Sequence, residues 1–443
     1  MAQNEDQLNM RQQKREALRK KREAEQRKMK RNLILAAILL VACGAGIFSI
    51  AKNAGVKPGA TPMVEEQVWQ TEATEATEAT TPKKSPLTTI HIKAAGDLNV
   101  TTSVVNAGLA PNGFNFTNAF IDVASTMASA DLTVMNFEGN IYGQEYGTQT
   151  TVAPRELLDG LRSMGVDLVQ TANSASINNG LIGLTSTLSA VRNAGMVPLG
   201  SYASSGDFQQ SKGYTMCNVQ GIRIAFVAFT KGVGGKGMPA GNEDCVNLLY
   251  QDYDSEYRKI DKEGIHKVLD AVEKEKPDIT IAMLHWGSEY NETISDSQKD
   301  IAAIMTKRGV DVIIGTHPHL VQKIEYNQAA GTLIAYSLGD FFGDGTKGGT
   351  NYSIILDIEI TKDAELQTTR VTGYDFIPIY TLQASDSLGD YSYNRVVRID
   401  EAMRAYENNF VDKITKAAYD SMEYALERIE KRVAGEENTQ KKS

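Results

Sequence analysis

Seven times between residues 88 and 342 a short apolar run stops at a polar residue, a recurrence that few architectures accommodate. The runs are TTIHIKAAGD (88–97), DLTVMNFEG (131–139), VDLVQTAN (166–173), IRIAFVAFT (222–230), DITIAMLHWG (278–287), VDVIIGTHPH (310–319) and TLIAYSLGDFF (332–342). Their β-branched and aromatic content suits strands. Between several of them apolar residues recur at helical spacing, at 156–164, 184–194, 260–275 and 296–308. This alternation predicts an α/β domain with some antiparallel neighbours, in which ligands gather at the carboxyl ends of strands.

Those ends hold the residues with chemistry. Of five histidines, His285, His317 and His319 fall there, as do the carboxylates Asp97 and Glu138. Imidazole and carboxylate together suit Zn, Mn or Fe, and a pair of such ions about 3.5–4 Å apart clamps both oxygens of a phosphoester displacement. Each residue also has a plainer use. His285 before Trp286 fits a hydrogen-bonded structural histidine, Gly96-Asp97 fits a turn capped by its aspartate, and Glu138 alone says little. His317 and His319 flank Pro318 in a glycine-led loop, where two imidazoles have little packing use. His91 and His266 read as structural or surface residues.

The charge is split unevenly. Residues 1–31 carry eleven Lys or Arg against five acids, about +6, so the overall −9 leaves about −15 on the rest. Residues 33–51, LILAAILLVACGAGIFSIA, hold nineteen residues without a charge, just long enough to cross the hydrocarbon layer. The preceding Arg27, Lys28, Lys30 and Arg31 place the N-terminus in the cytoplasm and the remainder outside. A second reading stays open: Leu40-Val41-Ala42-Cys43 resembles a bacterial lipobox, with the mature chain a lipoprotein anchored at Cys43. The basic tail reads as solvated or lying on anionic lipid rather than as a nucleic-acid binder. The TEATEATEAT repeat and Thr81-Pro82-Lys83-Lys84-Ser85-Pro86 have little to bury and read as a disordered stalk over 52–88. Outside the anchor only Cys217 and Cys245 remain, free to pair or to stay as buried thiols.

In order along the chain stand Gly96-Asp97, Asn136-Phe137-Glu138, Ala172-Asn173, the NAGMVPLG segment around Gly195, the run from His285 to Tyr290 (HWGSEY), GTHPH from Gly315 with Gln322 and Glu325, and YSLGDF from Tyr336. Together these motifs, over about residues 89–345, resemble the bacterial capsule-synthesis CapA family, associated with poly-γ-glutamate. The resemblance implies a calcineurin-like metallophosphatase fold, a two-layered β core flanked by helices, spanning 89–383 after a single transmembrane helix at 32–51. It implies Asp97, Glu138, His285, His317 and His319 as ligands of a divalent metal pair, with Asn136, Asn173, Glu289 and Asp340 around them. It also implies a cell-envelope polymer or its membrane synthase complex as partner, at the outer face of the cell membrane.

The chain departs from the family at a telling place. Where the family reads Ala-Asn-Asn-His, this sequence has Ala172-Asn173-Ser174-Ala175, followed by Asn178 in place of an aspartate; Asp340 replaces the usual asparagine of the YSLGNF element. In this fold type the replaced histidine donates a proton to the leaving group, which alanine cannot do, and such help is worth roughly 10²–10⁴-fold. Two function classes follow: a binding or scaffold subunit with a partly degenerate metal site, and an active metal-dependent envelope hydrolase of phosphoesters or polymer amides. No residue is therefore assigned a catalytic role.

An acidic outer segment repels an acidic polymer, although salt screens this beyond about 8–10 Å. Binding needs the metal or a basic patch. The loop Lys231-Gly232-Val233-Gly234-Gly235-Lys236-Gly237 is a candidate patch or a plain surface loop, and it lacks the nucleotide P-loop pattern. Residues 384–434 read as an amphipathic helical region with helices over 399–432, and 435–443 as a disordered tail.

Overall fold

The computed structural model describes residues 87–385, 392–409 and 414–436. The expected basic tail (1–31), the anchor (32–51) with Cys43 and nearly all of the stalk (52–88) lie outside the described residues, as does the tail beyond 436. Among the described residues no helix is long and apolar enough to cross a membrane.

In chain order the first half runs β1 (Leu87–Asn99), α1 (Thr102–Ala107), β2 (Leu109–Ala110), β3 (Gly113–Phe114), α2 (Thr117–Ala128), β4 (Leu132–Glu138), α3 (Glu156–Ser163), β5 (Leu168–Gln170), α4 (Gly180–Asn193), β6 (Val197–Leu199), α5 (Ser205–Ser211), β7 (Tyr214–Val219) and β8 (Ile222–Thr230). The second half runs α6 (Lys262–Glu275), β9 (Ile279–His285), α7 (Asp296–Lys307), β10 (Val312–Thr316), β11 (Ile324–Asn327), β12 (Thr332–Ala335), β13 (Asp340–Phe342), β14 (Tyr352–Asp363), β15 (Thr368–Ser385), β16 (Ser392–Arg398), α8 (Ile399–Glu407) and α9 (Lys416–Ala434).

Two sheets result. One has the order β16-β15-β14-β1-β4-β5-β6 with β13 also paired to β1, and the other the order β11-β12-β10-β9-β8-β7. In the first, parallel β1-β4-β5-β6 run to one edge and antiparallel β14, β15 and β16 form the other side; in the second, a parallel centre β12-β10-β9-β8 lies between antiparallel β11 and β7. Period-two alternation decides what each strand buries. Ile90, Ile92 and Ala94 of β1 meet Ile224, Phe226, Ile281, Met283, Val312 and Ile314 between the sheets. The alternate residues Val227, Ala282, Leu284 and Ile313 face away, into a second core with Ile265, Leu269, Ile301 and Met305 of α6 and α7. Both faces being buried is why these runs are continuously apolar. Each large side chain so buried is worth about 1.5–3 kcal/mol of transfer energy.

The lower ends of the parallel strands share one device. Asp131, Asp167, Asp278 and Asp311 each precede a strand, and each carboxylate accepts the backbone N–H of the neighbouring strand, from His91, Thr133, Arg223 and Thr280 at 2.7–3.0 Å. Each also donates its own N–H to that residue's carbonyl. The same two-bond clasp thus occurs twice in each sheet and sets the register there.

The structure corrects two expectations. TLIAYSLGDFF is two strands in different sheets: β12 ends at Ala335, the chain crosses through Tyr336 to Gly339, and β13 joins β1. The crossing lies so tight against β1 and β10 that a Cβ on Gly96 would sit 1.9 Å from the Gly339 carbonyl oxygen, and one on Gly315 1.9 Å from that of Tyr336. The region 384–434 is not helical throughout either. β15 runs past residue 383 to Ser385 and β16 follows, forming an antiparallel meander with β14. Its polar residues alternate with buried Val371, Ile379 and Leu382, which dilutes its apolar signal in sequence. Beyond it α8 and α9 bury Ile399, Ala402, Met422, Ala425 and Ile429 against the intersheet core. Cys217 and Cys245 are both free thiols.

Candidate metal centre

The upper ends of strands from both sheets converge. Asp97 and Glu138 close β1 and β4, His285 closes β9, His317 and His319 follow β10, Asn173 follows β5, and Asp340 opens β13 opposite Asp97. Asp97, Asn136, Asn173 and His285 are fully buried, and Glu138, His317, His319 and Asp340 nearly so. The sheet crossing matters here, because it delivers Asp340 from the second sheet to the first, with the Asp97 N–H donating to the Gly339 carbonyl at 3.0 Å.

The ring of polar contacts is dense. Asn136 Nδ2 donates to Asp97 Oδ1 at 2.5 Å, and the His317 backbone N–H donates to Asp97 Oδ2 at 3.0 Å. Asn173 Nδ2 donates to Asn136 Oδ1 and to the Phe137 carbonyl at 3.0 and 2.7 Å. Asn136 and Asn173 therefore sit behind the ligand-type residues and orient them, a support typical of metal sites. His285 has Nδ1 3.8 Å from Asp97 Oδ1 and Nε2 3.5 Å from Glu138 Oε1. His319 Nδ1 lies 2.7 Å from Asp340 Oδ1, so Asp340 holds the Nδ1 proton and Nε2 is the nitrogen that would take a cation once it has lost its own.

Three sets of ligand atoms lie within 4.8 Å of one another: Glu138, His285 and His317; Glu289, His317 and His319; and Asp97, His319 and Asp340. They share His317 and His319 and so form one cluster. Asp340 and Glu289, expected around the centre, are brought among the candidate ligands themselves. Glu289 is exposed and stands at the mouth. Within the cluster Glu138 Oε2 and His317 Nδ1 are buried and have no hydrogen-bond partner. An orphaned buried carboxylate oxygen and imidazole nitrogen are each costly, and a divalent cation fits both donors.

The electrostatics favour that fit at Glu138 and His317 and oppose it at His319. Burial works to raise the Glu138 carboxyl, but His285, His319 and the Ser174 hydroxyl outweigh it and hold it below the usual range. His317 is held well below the usual histidine range by burial, with His285 and Lys231 adding to it, so it is a neutral ligand-ready imidazole. Burial would lower His319 too, yet Asp340 behind it keeps it well above. His317 and His319 also adopt positive φ, 91° and 58°, a strained backbone for non-glycine residues that the packed site sustains.

Two features could not be read from residue type. Ser174 Oγ lies 2.9 Å from His285 Nε2, while Ala175 is buried and offers only backbone groups, its N–H donating to Asn173 Oδ1 at 3.1 Å. Tyr290, in the HWGSEY run, stacks on the His319 ring with centroids 5.5 Å apart. The glycine-rich loop after β8 is exposed over residues 234–237 and is tied to the domain by both of its lysines. Lys231 Nζ donates to the Gly287 carbonyl at 2.7 Å and lies over the Tyr257 ring, and Lys236 Nζ donates to the Asn178 carbonyl at 2.8 Å.

Among known proteins, the chain is 28% identical over 241 residues to the PGA biosynthesis protein CapA of Bacillus subtilis (strain 168), covering 53% of this chain and 59% of that one. It is 28% identical over 194 residues to the capsule biosynthesis protein CapA of Bacillus anthracis, covering 43% and 44%. The chain therefore spans less than two thirds of the length of either relative. A solved calcineurin-like phosphoesterase, YfkN from Bacillus subtilis, superposes with a TM-score of 0.39 at 14% identity, over 78% of this chain and 98% of that one. The family model described as bacterial capsule synthesis protein PGA_cap matches residues 91–344, from the first strand to just past Asp340, which takes in every ligand-type residue of the cluster. The chain belongs to the bacterial capsule synthesis protein family PGA_cap.

Proposed function

We propose that this protein serves capsule, poly-γ-glutamate or related envelope-polymer synthesis or export through a calcineurin-like centre that holds a divalent metal pair, Mn, Zn or Fe. Asp97, Glu138, His285, His317 and His319 would hold it, with Glu289 and Asp340 completing the set. The observation that carries this reading is the unpartnered, buried pair Glu138 Oε2 and His317 Nδ1. When bound, the metal supplies a concentrated positive charge able to take a carboxylate or phosphate oxygen in a chain that is otherwise acidic. Asn136 and Asn173 keep Asp97 oriented, Asp340 directs the His319 tautomer, and Lys231 adds positive charge beside His317.

The role is binding or scaffolding rather than turnover. Ala175 has no group that can hold a proton for a leaving atom, and Ser174 is engaged on His285. Metal-dependent hydrolysis is the second reading, favoured by the positive φ of His317 and His319, since such strain clusters at active sites. In the cell the domain would stand outside, tethered by residues 33–51 or by lipid on Cys43, within reach of a growing polymer or its synthase complex. Metal analysis of the purified protein, wild type and His317→Ala, with assays on model phosphodiesters and polyglutamate, tests these points. Uptake of Mn or Zn lost in the variant, with background hydrolysis, is the expected result. Hydrolysis abolished by His317→Ala would replace the scaffold role with the enzyme, and no uptake by the wild type would remove the centre.

A further inference from the structure

The C-terminal helix α9 lies wholly beyond the family's matched segment, yet it reaches the loop that forms one wall of the centre. Arg428 and Arg432 project from it and are both more than nine-tenths buried. Both guanidinium groups grip one carboxylate, Glu292: Arg428 Nη2 at 2.7 Å from Oε2, and Arg432 Nη2 on Oε1. Arg432 also lies over the Tyr352 ring, 5.3 Å from its centroid. Burying two cations against one anion leaves an uncompensated charge, and Arg428 Nε and Arg432 Nε and Nη1 have no partner. Such a cluster is poor at stabilising a fold compared with apolar side chains of the same volume, so its use is to be sought in what Glu292 belongs to.

Glu292 sits in the loop of residues 286–295 that carries Glu289 and Tyr290. This loop is stitched to the histidine loop at three points: Trp286 N–H to the Thr316 carbonyl at 3.1 Å, Tyr290 N–H to the Pro318 carbonyl at 2.9 Å, and the Tyr290 ring stacked on His319. Gln322 holds it from below by donating to the Asn291 carbonyl at 2.8 Å. Tyr290 itself has a positive φ of 57°, so the loop does not relax into this shape unaided. The arginine pair supplies the outer hold.

We propose that Arg428 and Arg432 are positioning residues for the metal centre: by gripping Glu292 they hold the 286–295 loop where Glu289 and Tyr290 wall His317 and His319. The metal affinity of the centre is thereby set from the C-terminal helix. This rests on the metal reading above for its affinity arm, while its loop arm does not.

The test uses the full chain with Glu292→Gln and with Arg428→Met combined with Arg432→Met, against Ile429→Ala as control. Ile429 lies on the same helix but is buried in the intersheet core, so its truncation destabilises α9 without touching Glu292. Two readouts are taken: Mn(II) affinity by titration calorimetry, and hydrogen exchange of the Tyr290 amide. In the grip variants Mn(II) binding weakens by about tenfold, the low end for loss of an outer partner, and Tyr290 exchanges faster. Ile429→Ala lowers the melting temperature with Mn(II) affinity unchanged, and Arg432→Lys in place of Arg432→Met in the combined variant recovers part of the lost affinity. Equal Mn(II) affinity in grip variants and wild type, or equal loss in Ile429→Ala, overturns the positioning role. Unchanged Tyr290 exchange overturns the grip whatever the metal does, and a wild type that takes up no Mn(II) overturns the affinity arm together with the centre itself.

Discussion

The two ends of the same parallel strands carry the same kinds of side chain and put them to opposite uses. At the lower ends Asp131, Asp167, Asp278 and Asp311 each give a carboxylate oxygen to a neighbouring backbone N–H, and they are spread across both sheets. At the upper ends Asp97, Glu138, Asp340 and three histidines crowd together, with Glu138 Oε2 and His317 Nδ1 left unpartnered. A carboxylate clasped to the backbone of the neighbouring strand sets register. One held by asparagines and facing other ligands is kept available for something that is not part of the chain. Burial separates the two cases, since the four lower aspartates are exposed or half-buried while Asp97, Glu138 and Asp340 are buried, and only among the buried set is a ligand-type atom left without a partner.

The largest expected difference between the ends is in metal linkage. Mn(II) at a thousandfold excess over its dissociation constant should stabilise the wild type by about 4 kcal/mol, removable by chelator and seen as a shift in melting temperature. His317→Ala should show no such shift, whereas Asp131→Ala should keep it in full. A shift retained in His317→Ala would break the comparison.

Close approach is the next point of contrast, because only the upper ends admit the sheet crossing. Gly315→Ala places a methyl against the Tyr336 carbonyl and should cost about 3 kcal/mol in chemical denaturation, the upper end for overpacking. A cost below 1 kcal/mol would mean that the crossing yields easily.

At the lower ends, Asp278→Ala removes the acceptor of the Arg223 N–H and the Lys362 ammonium and should cost about 2 kcal/mol. Metal uptake should not change. Reduced uptake would show that the lower clasps also shape the site.

The smallest effect concerns pH. Burial pushes the Asp311 carboxyl up to about 6, against the Thr280 N–H that favours its ionised form. The folded state therefore holds this proton more tightly than the unfolded chain, whose aspartate titrates near about 3.9. Its stabilising contribution is complete below the unfolded value and is lost as pH rises toward about 6. Asp311→Asn keeps an acceptor for Thr280 without the titration. Between pH 4 and 7 the wild type should lose about 1–2 kcal/mol that the variant does not, after allowing for partial exposure. Parallel pH profiles of the two proteins would show that the clasp acts through geometry alone.

Much of this was legible in the residues. Six of the seven apolar runs are single strands, and the four helical patterns became α3, α4, α6 and α7 with ends shifted by at most four residues. The GTHPH motif pointed to His317 and His319 because two imidazoles flanking a proline have little packing use, whereas His285, which also fits a structural role, stood out only through its strand-end position and the family resemblance. What escaped was of two kinds. The meander of β14, β15 and β16 was missed because β15 sets polar residues between buried Val371, Ile379 and Leu382, and β14, though mostly buried, carries Asp357, Glu359 and Lys362. The split of residues 332–342 was missed because a strand and a sheet crossing look alike until the partner strands are known.

The sequence by itself determined which residues could carry charge or bind a cation, and that they stand at strand ends, since period and residue type are local properties. It also determined that Ala175 cannot transfer a proton. Only the tertiary structure decided that Asp340 and Glu289 join the candidate ligand sets, that Ser174 meets His285, and that a helix beyond the matched segment grips Glu292. The reason is distance along the chain. Asp97 and the His317 amide are 220 residues apart, and Arg432 and Glu292 are 140 apart. Such contacts exist only after both sheets have formed and the crossing has joined them.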